Sequence, residues 1–144
     1  MNDRPAGPAG RRTGPPVVLE GALVRLEPLS TSHAADLAVA AEEDRSAYRW
    51  ATVPRADEVV AYIADQRARP GFTPFAQLRR SDGRAVGCTA YLEPRTWPGR
   101  DDLFAVEIGA TWLSGSAQRS GINPEAKLLL LRHAFESSGW TGWT

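Results

Sequence analysis

Apolar and polar residues alternate most cleanly between Leu103 and Leu113, where Phe104, Val106, Ile108, Ala110 and Trp112 would share one face of a strand. Glu107, Gly109 and Thr111 would share the other. Two more strand-like runs, Thr73 to Arg79 and Ala85 to Leu92, flank Ser81-Asp82-Gly83-Arg84, whose Asp-Gly pair predicts a hairpin turn. Val17 to Leu19 and Leu23 to Leu29, either side of Glu20-Gly21, predict a first strand with a bend. Between these strands the period lengthens. Ser30, Thr31 and Ser32 offer caps for a helix whose modest apolar face holds Leu37, Ala38, Ala40 and Ala41. A second helix runs from Asp57 through Val59, Tyr62, Ile63 and Arg67 to a stop at Pro70-Gly71. An aromatic loop, Tyr48 to Pro54, separates the two helices, and Pro94 to Asp102 forms a later loop.

The third helix has the clearest start. Asn123 is a good N-cap, and Pro124 suits the first helical position, where the amide it lacks would have gone unbonded. Leu128 to Leu131 place apolar side chains all around it, which predicts burial on more than one face. Arg132 and Gly139 mark its end. The order is strand, two helices, three strands, helix, then the start of a strand. This order predicts an α+β domain built on a mostly antiparallel sheet.

Composition narrows the partners. Lys and Arg together number 17, as do Asp and Glu, so zero net charge gives no electrostatic reason to expect nucleic acid or an anionic membrane. No apolar run approaches the ~18 residues a membrane helix needs. Cys88 is the single cysteine, which excludes an intrachain disulfide and fits a reducing cytoplasm. Arg11-Arg12 is followed by Thr-Gly-Pro-Pro, where an export signal would turn apolar. Residues 1–16, rich in Pro, Gly and Ala, read as a disordered tail, and residues 17–144 as one domain. His33 and His133 lack metal-ligand spacing, and no metal site is expected. Cys88 sits among small residues and reads as a buried apolar side chain, not a nucleophile.

The chemistry concentrates before the third helix. Gln118, Arg119, Ser120, Gly121, Ile122 and Asn123 can turn successive backbone amides toward one point, at the positive end of the helix dipole. Gly121 would let backbone approach a ligand closely, and Arg119 adds a full charge. Glu125, in the first turn, would repel an anion unless its carboxylate faces away into solvent. An ordinary strand–loop–helix connection has the same pattern.

Gln118-Arg119-Ser120-Gly121-Ile122-Asn123 resembles the Gln/Arg-x-x-Gly-x-Gly/Ala signature with which GNAT acyltransferases hold the pyrophosphate of acetyl-coenzyme A. Asn123 stands where that signature has Gly or Ala. The continuation Asn-Pro-Glu-Ala-Lys into a leucine-rich helix is similar to the branch of ribosomal-protein N-terminal (alanine, serine) acetyltransferases. The resemblance runs from Val17 to Trp140. It implies a GNAT fold, acetyl-coenzyme A as cosubstrate, and a primary amine or protein N-terminus as acceptor. It also implies Glu107 as general base and the backbone of Thr111, Trp112 and Leu113 as partner to the pantetheine arm. Tyr48 and Trp50 lie where the family builds its acceptor pocket, and packing on the sheet is the competing role for them.

Family members continue beyond this point with a strand, a helix and two closing strands, which usually carry the general acid. The chain therefore resembles a truncated member. Two expectations follow from that reading: an exposed sheet edge that invites a homodimer, and a competing identity as a non-catalytic acyl-coenzyme A-binding remnant or a partner-dependent subunit. A binder of another phosphorylated ligand is a third reading.

Overall fold

The computed structural model describes residues 17–48, 53–96, 98–99 and 103–137. The tail 1–16, Trp50 and the helix stop at Gly139 lie outside these residues. The strands are β1 (Leu19–Glu20), β2 (Val24–Pro28), β3 (Phe72–Arg79), β4 (Ala85–Thr96) and β5 (Leu103–Leu113). The helices are α1 (Ala34–Glu42), α2 (Val59–Ala68) and α3 (Ile122–Ser137). All five strands pair in chain order, β1-β2-β3-β4-β5, and each pairing is antiparallel. The expected α+β architecture is therefore observed. β4 extends further than its apolar run, through Pro94 to Thr96. It tolerates the proline because the ladder is irregular between Leu92 and Arg95, where a missing N–H breaks no regular rung.

Each face of the sheet carries its own core. On one, Ala126, Leu130 and Ala134 of α3 recur every fourth residue and pack on Val24, Leu26, Phe75, Val86 and Tyr91. On the other, Leu37, Ala40 and Ala41 of α1 and Val59 and Ile63 of α2 cover Ala76, Ala85, Cys88 and Trp112. The Tyr91 hydroxyl donates to the Leu130 carbonyl and ties α3 to the middle of the sheet. The leucine run does not bury all round. Leu130 is fully buried, but Leu128 is 54% exposed, because α3 offers one stripe to one sheet face and Leu128 stands about 200° from Leu130 around the helix. Among the described residues no helix is long and apolar enough to cross a membrane.

β5 departs from simple alternation. Ile108 packs with the α3 core, whereas Trp112 belongs to the α1–α2 core. Four residues apart on a regular strand, they would share a face. The register jumps from Ala90↔Gly109 to Cys88↔Trp112, so one side of the ladder has an extra residue. Ala110 takes it up with φ +51°, a bulge that reverses the facing of everything after it. The expected stripe through Ile108, Ala110 and Trp112 is therefore wrong beyond Gly109. Ala110 is exposed, and Thr111 turns to bond the Thr89 hydroxyl at 2.9 Å.

Candidate functional site

β5 ends in a turn at Gly115–Ala117, and the chain then crosses to the start of α3 beneath β2. α3 begins two residues earlier than its sequence signals suggest. The Glu125 amide bonds the Gly121 carbonyl at 3.2 Å, which makes Gly121 the capping position and puts Asn123 and Pro124 inside the first turn. Pro124 is still harmless there, since first-turn amides have no partner within the helix. The Asn123 Oδ1 is buried without a hydrogen bond among the described residues.

The amides of this loop divide into two groups. Gln118 spends its N–H on the Ser114 and Gly115 carbonyls, so it does not belong to the cradle expected from sequence. Ile122 has a long contact of 3.4 Å to the Ser120 hydroxyl. The amides of Arg119, Ser120, Gly121 and Asn123 have no hydrogen-bond partner among the described residues. Arg119 at φ +59° and Gly121 at φ +90° bracket Ser120, and alternating backbone of this kind can aim neighbouring N–H groups to one side. Left-handed backbone at Arg119 costs on the order of 1 kcal/mol, and such strain concentrates where function demands it.

Glu125 does not face solvent. Its Oε1 accepts from the amides of Leu23 at 2.7 Å and Val24 at 2.8 Å, and its Oε2 from Ala22 at 3.0 Å. The carboxylate that would have repelled an anion is consumed by the β1–β2 turn.

The approach to the loop is equally built. The Leu113 carbonyl accepts both the Tyr48 hydroxyl at 2.8 Å and the Gln118 side-chain amide at 2.9 Å. Because the Ser114 amide bonds Val86 in β4, strand alternation turns the Trp112 main chain toward β4 and those of Thr111 and Leu113 outward. Trp112 therefore cannot offer its backbone to a ligand. With the Leu113 carbonyl saturated, the outward groups that remain are the Leu113 N–H and the backbone of Thr111.

A family model for the acetyltransferase (GNAT) domain matches residues 24–143. The chain belongs to this GNAT family. Curated protein sequences yield no significant match. A GCN5-related N-acetyltransferase from Brucella melitensis superposes with a TM-score of 0.75 at 23% identity, over 91% of this chain and 60% of that one. A GNAT-family protein from Chromobacterium violaceum gives 0.68 at 26% identity, over 94% and 71%. A ribosomal α-N-protein acetyltransferase in complex with coenzyme A gives 0.62 at 15% identity, over 81% and 67%. The chain thus spans about 60% of the length of the Brucella structure.

In this GNAT domain Glu107 is exposed near the middle of β5, opposite Leu92 and one turn of the pleat before the bulge. Its side chain has no hydrogen bond to the described residues. Gly109 lies two positions on, and a side chain there would collide with Leu92 Cδ1, 2.7 Å from the Cβ position. Tyr48 packs edge-on against Trp112 with ring centroids 6.1 Å apart, its hydroxyl committed to Leu113. Between the two roles left open for it, the geometry is that of a residue packed on the sheet. The Trp112 ring lies in the core and donates to the Tyr62 hydroxyl. Cys88 is wholly buried, and that burial pushes its thiol up to about 12. His33 receives the Ser30 amide at Nδ1 and meets Glu27 at Nε2, a helix-start role. His133 stacks on Tyr91, and burial holds its pKa below the usual range.

Sequence reasoning missed Glu43. Its Oε1 accepts the Ser116 amide at 2.7 Å, while the Arg79 guanidinium donates to the Ser116 hydroxyl at 3.0 Å. The next residue, Asp44, has φ +25° and sits 3.0 Å from where a side chain on Gly115 would begin. The end of α1 and the β3 hairpin thus clamp the turn that leads to the loop before α3. The Ser116 amide, helped by the Ser116 and Ser114 hydroxyls and Arg79, holds the Glu43 carboxyl below its ordinary value of 4.5. A depressed carboxylate stabilises the fold fully above its unfolded pKa and loses that contribution as pH falls through the folded value. We expect the melting-temperature gap between the parent and Glu43→Gln to be constant from about pH 8 to pH 5 and to shrink below about pH 4. A gap that persists at about pH 3 would remove the ionic part of the clamp.

Proposed function

We propose that this chain is the acyl-coenzyme A-binding part of an N-acetyltransferase, transferring acetyl from acetyl-coenzyme A to a primary amine or a protein N-terminus. The observation that carries this reading is the set of partnerless amides at Arg119, Ser120, Gly121 and Asn123, at the end of β5 and the start of α3. A pyrophosphate fits there on chemical grounds. Each charge-assisted bond from those amides contributes roughly 1.5–3 kcal/mol. The dipole of α3 adds to it, Arg119 supplies a cation that forms no ion pair among the described residues, and the Glu125 carboxylate is turned onto the amides of the β1–β2 turn. The outward backbone of Thr111 and the Leu113 N–H are placed to pair with the extended arm of the cosubstrate. Likeness to the ribosomal-protein enzyme makes a protein N-terminus one acceptor to assay.

The cosubstrate supplies a thioester whose carbonyl carbon the neutral amine attacks. The chain's own contribution to that step is Glu107. Its carboxylate first takes a proton from the bound ammonium, directly or through one water; the neutral amine then attacks, and as the C–N bond forms and the C–S bond breaks the thiolate leaves. No described residue is assigned as the acid that protonates the thiolate.

Incubation with acetyl-coenzyme A and a panel of amines and peptides, followed by free-thiol detection, tests the proposal. Amine-dependent thiol release supports the transferase. Saturable binding without release identifies a non-catalytic acyl-coenzyme A binder instead, and no binding ends both readings.

The cradle has its own test. Gly121 has φ +90°, and a Cβ there would lie 3.0 Å from Leu23 Cδ1, so Gly121→Val strains the backbone and crowds the concavity together. We expect coenzyme A affinity to fall tenfold or more, about 1.4 kcal/mol. Calorimetry on a variant that still melts cooperatively reads this directly, and an unchanged affinity would place the pyrophosphate elsewhere.

A further inference from the structure

The side of the sheet that carries Glu107 continues beyond it. Glu107 pairs with Leu92 in β4, and Leu92 pairs with Phe72 at the start of β3, so the three stand in one row across the strands. Side chains in such a row point to the same side. Ile108 and Tyr91, one position along, pair with each other and face α3, which puts the row on the α1–α2 side. The helices leave it partly open. Glu107 is exposed, and Leu92 and Phe72 are half-buried outside both cores, although side chains of their kind are usually core material. The row ends under a cation. Arg69, the residue that follows α2, holds its guanidinium 4.2 Å from the centre of the Phe72 ring. A guanidinium over an aromatic face is held by the ring quadrupole and keeps N–H groups for an anion. The Arg69 side chain forms no ion pair among the described residues, not even with Asp65 one turn earlier on α2. A carboxylate, an apolar strip and a guanidinium thus follow in line, with about 10 Å, two strand spacings, between Glu107 and Phe72.

We infer that this row receives the acceptor, and that the acceptor it fits is a peptide N-terminus whose third residue is acidic. The ammonium meets Glu107, the first residues lie over Leu92 and Phe72, and the carboxylate reaches Arg69. The inference rests on the acetyltransferase reading above, with Glu107 as base, and adds to it the chemical class of the acceptor. An extended chain advances about 3.3–3.6 Å per residue, so a third-residue side chain spans the row from an amine at its start. Arg69 and Phe72 then determine specificity and take no part in proton transfer.

Calorimetry with two peptide amides, Ala-Ala-Glu-Ala and Ala-Ala-Gln-Ala, in the presence of coenzyme A tests the assignment. The parent should bind the Glu peptide about fivefold more tightly, the upper range for an exposed ion pair. Arg69→Gln should bring the two peptides to within about 1.5-fold of each other. Arg69→Lys, which keeps the charge and loses the planar fork, should retain a preference of about threefold. A merely structural Arg69 would weaken both peptides together in the Gln variant and leave their ratio at the parental value, which overturns the inference. Equal binding of the two peptides by the parent, or binding of neither, also overturns it. Coenzyme A titrated alone separates this failure from a wider one: if coenzyme A binds, the acyl-coenzyme A reading stands without the acceptor row, and if it does not, both fall.

Discussion

Replacing Glu107 by Gln should lower acetyl transfer by about 10²–10⁴-fold near neutral pH, the usual worth of a positioned general base. Glutamine keeps the size and polarity of the side chain and loses the capacity to accept a proton. Glu107 is exposed on β5, clear of both cores, so the fold should be indifferent to the change. Coenzyme A affinity should barely move, because the side chain is not among the cradle groups. The deficit should also shrink as pH rises toward the pKa of the acceptor amine, where deprotonation no longer needs the enzyme. A reduced rate that is flat with pH would point to a positioning role, and parental turnover at neutral pH would exclude Glu107 as base.

Glu125→Ala should be the most destabilising single change at the site. The carboxylate receives the amides of Ala22, Leu23 and Val24, over a hundred residues away in the chain, and it is the polar tie between α3 and the β1–β2 turn. Two of those bonds are exposed and one is part-buried, so water recovers some of the loss. A cost of about 2–3 kcal/mol remains, since hydrogen bonds to a charged acceptor are worth roughly 1.5–3 kcal/mol each before that recovery. At about 3 °C per kcal/mol for a domain of this size, the melting temperature should fall by roughly 6–9 °C. Glu125→Gln retains one acceptor oxygen but turns an amide toward N–H donors, and it should fall between parent and alanine. A drop below about 2 °C for alanine would show that the three contacts are not worth their geometry.

The order of elements was legible because it depends on local spacing. Alternation located Ala85 to Leu92 and Leu103 to Leu113, Asp82-Gly83 located the hairpin, and Ala40, Leu37 and Ile63 located helical faces. What the sequence hid was long-range or a matter of parity. The bulge at Ala110 has no signature, since alanine is an ordinary strand residue and its φ is imposed by the ladder. From that one position the expected facings of Thr111 and Trp112 both inverted. Glu125 read as a charge that had to turn to solvent, and Glu43 gave no signal, because their amide partners lie 101–103 and 73 residues away. The loop before α3 was visible as a motif, but that Gln118 gives its amide to the preceding turn depends on the turn itself.

Ala110 also makes β5 behave like a reading frame. Before it, Ile108 looks toward α3, and after it the parity is exchanged, with Trp112 toward α1 and α2 and Leu113 toward α3. A one-residue insertion or deletion in the segment 107–112 is then a frameshift in side-chain space, which would send Trp112 toward α3 and Thr111 toward α1 and α2. An insertion compensated by a nearby deletion would restore the frame at the end of the strand. Sequence drift in this segment is therefore constrained less by residue type than by count, and the candidate base and the strand end proposed to meet the cosubstrate are held in fixed relation by arithmetic as much as by packing.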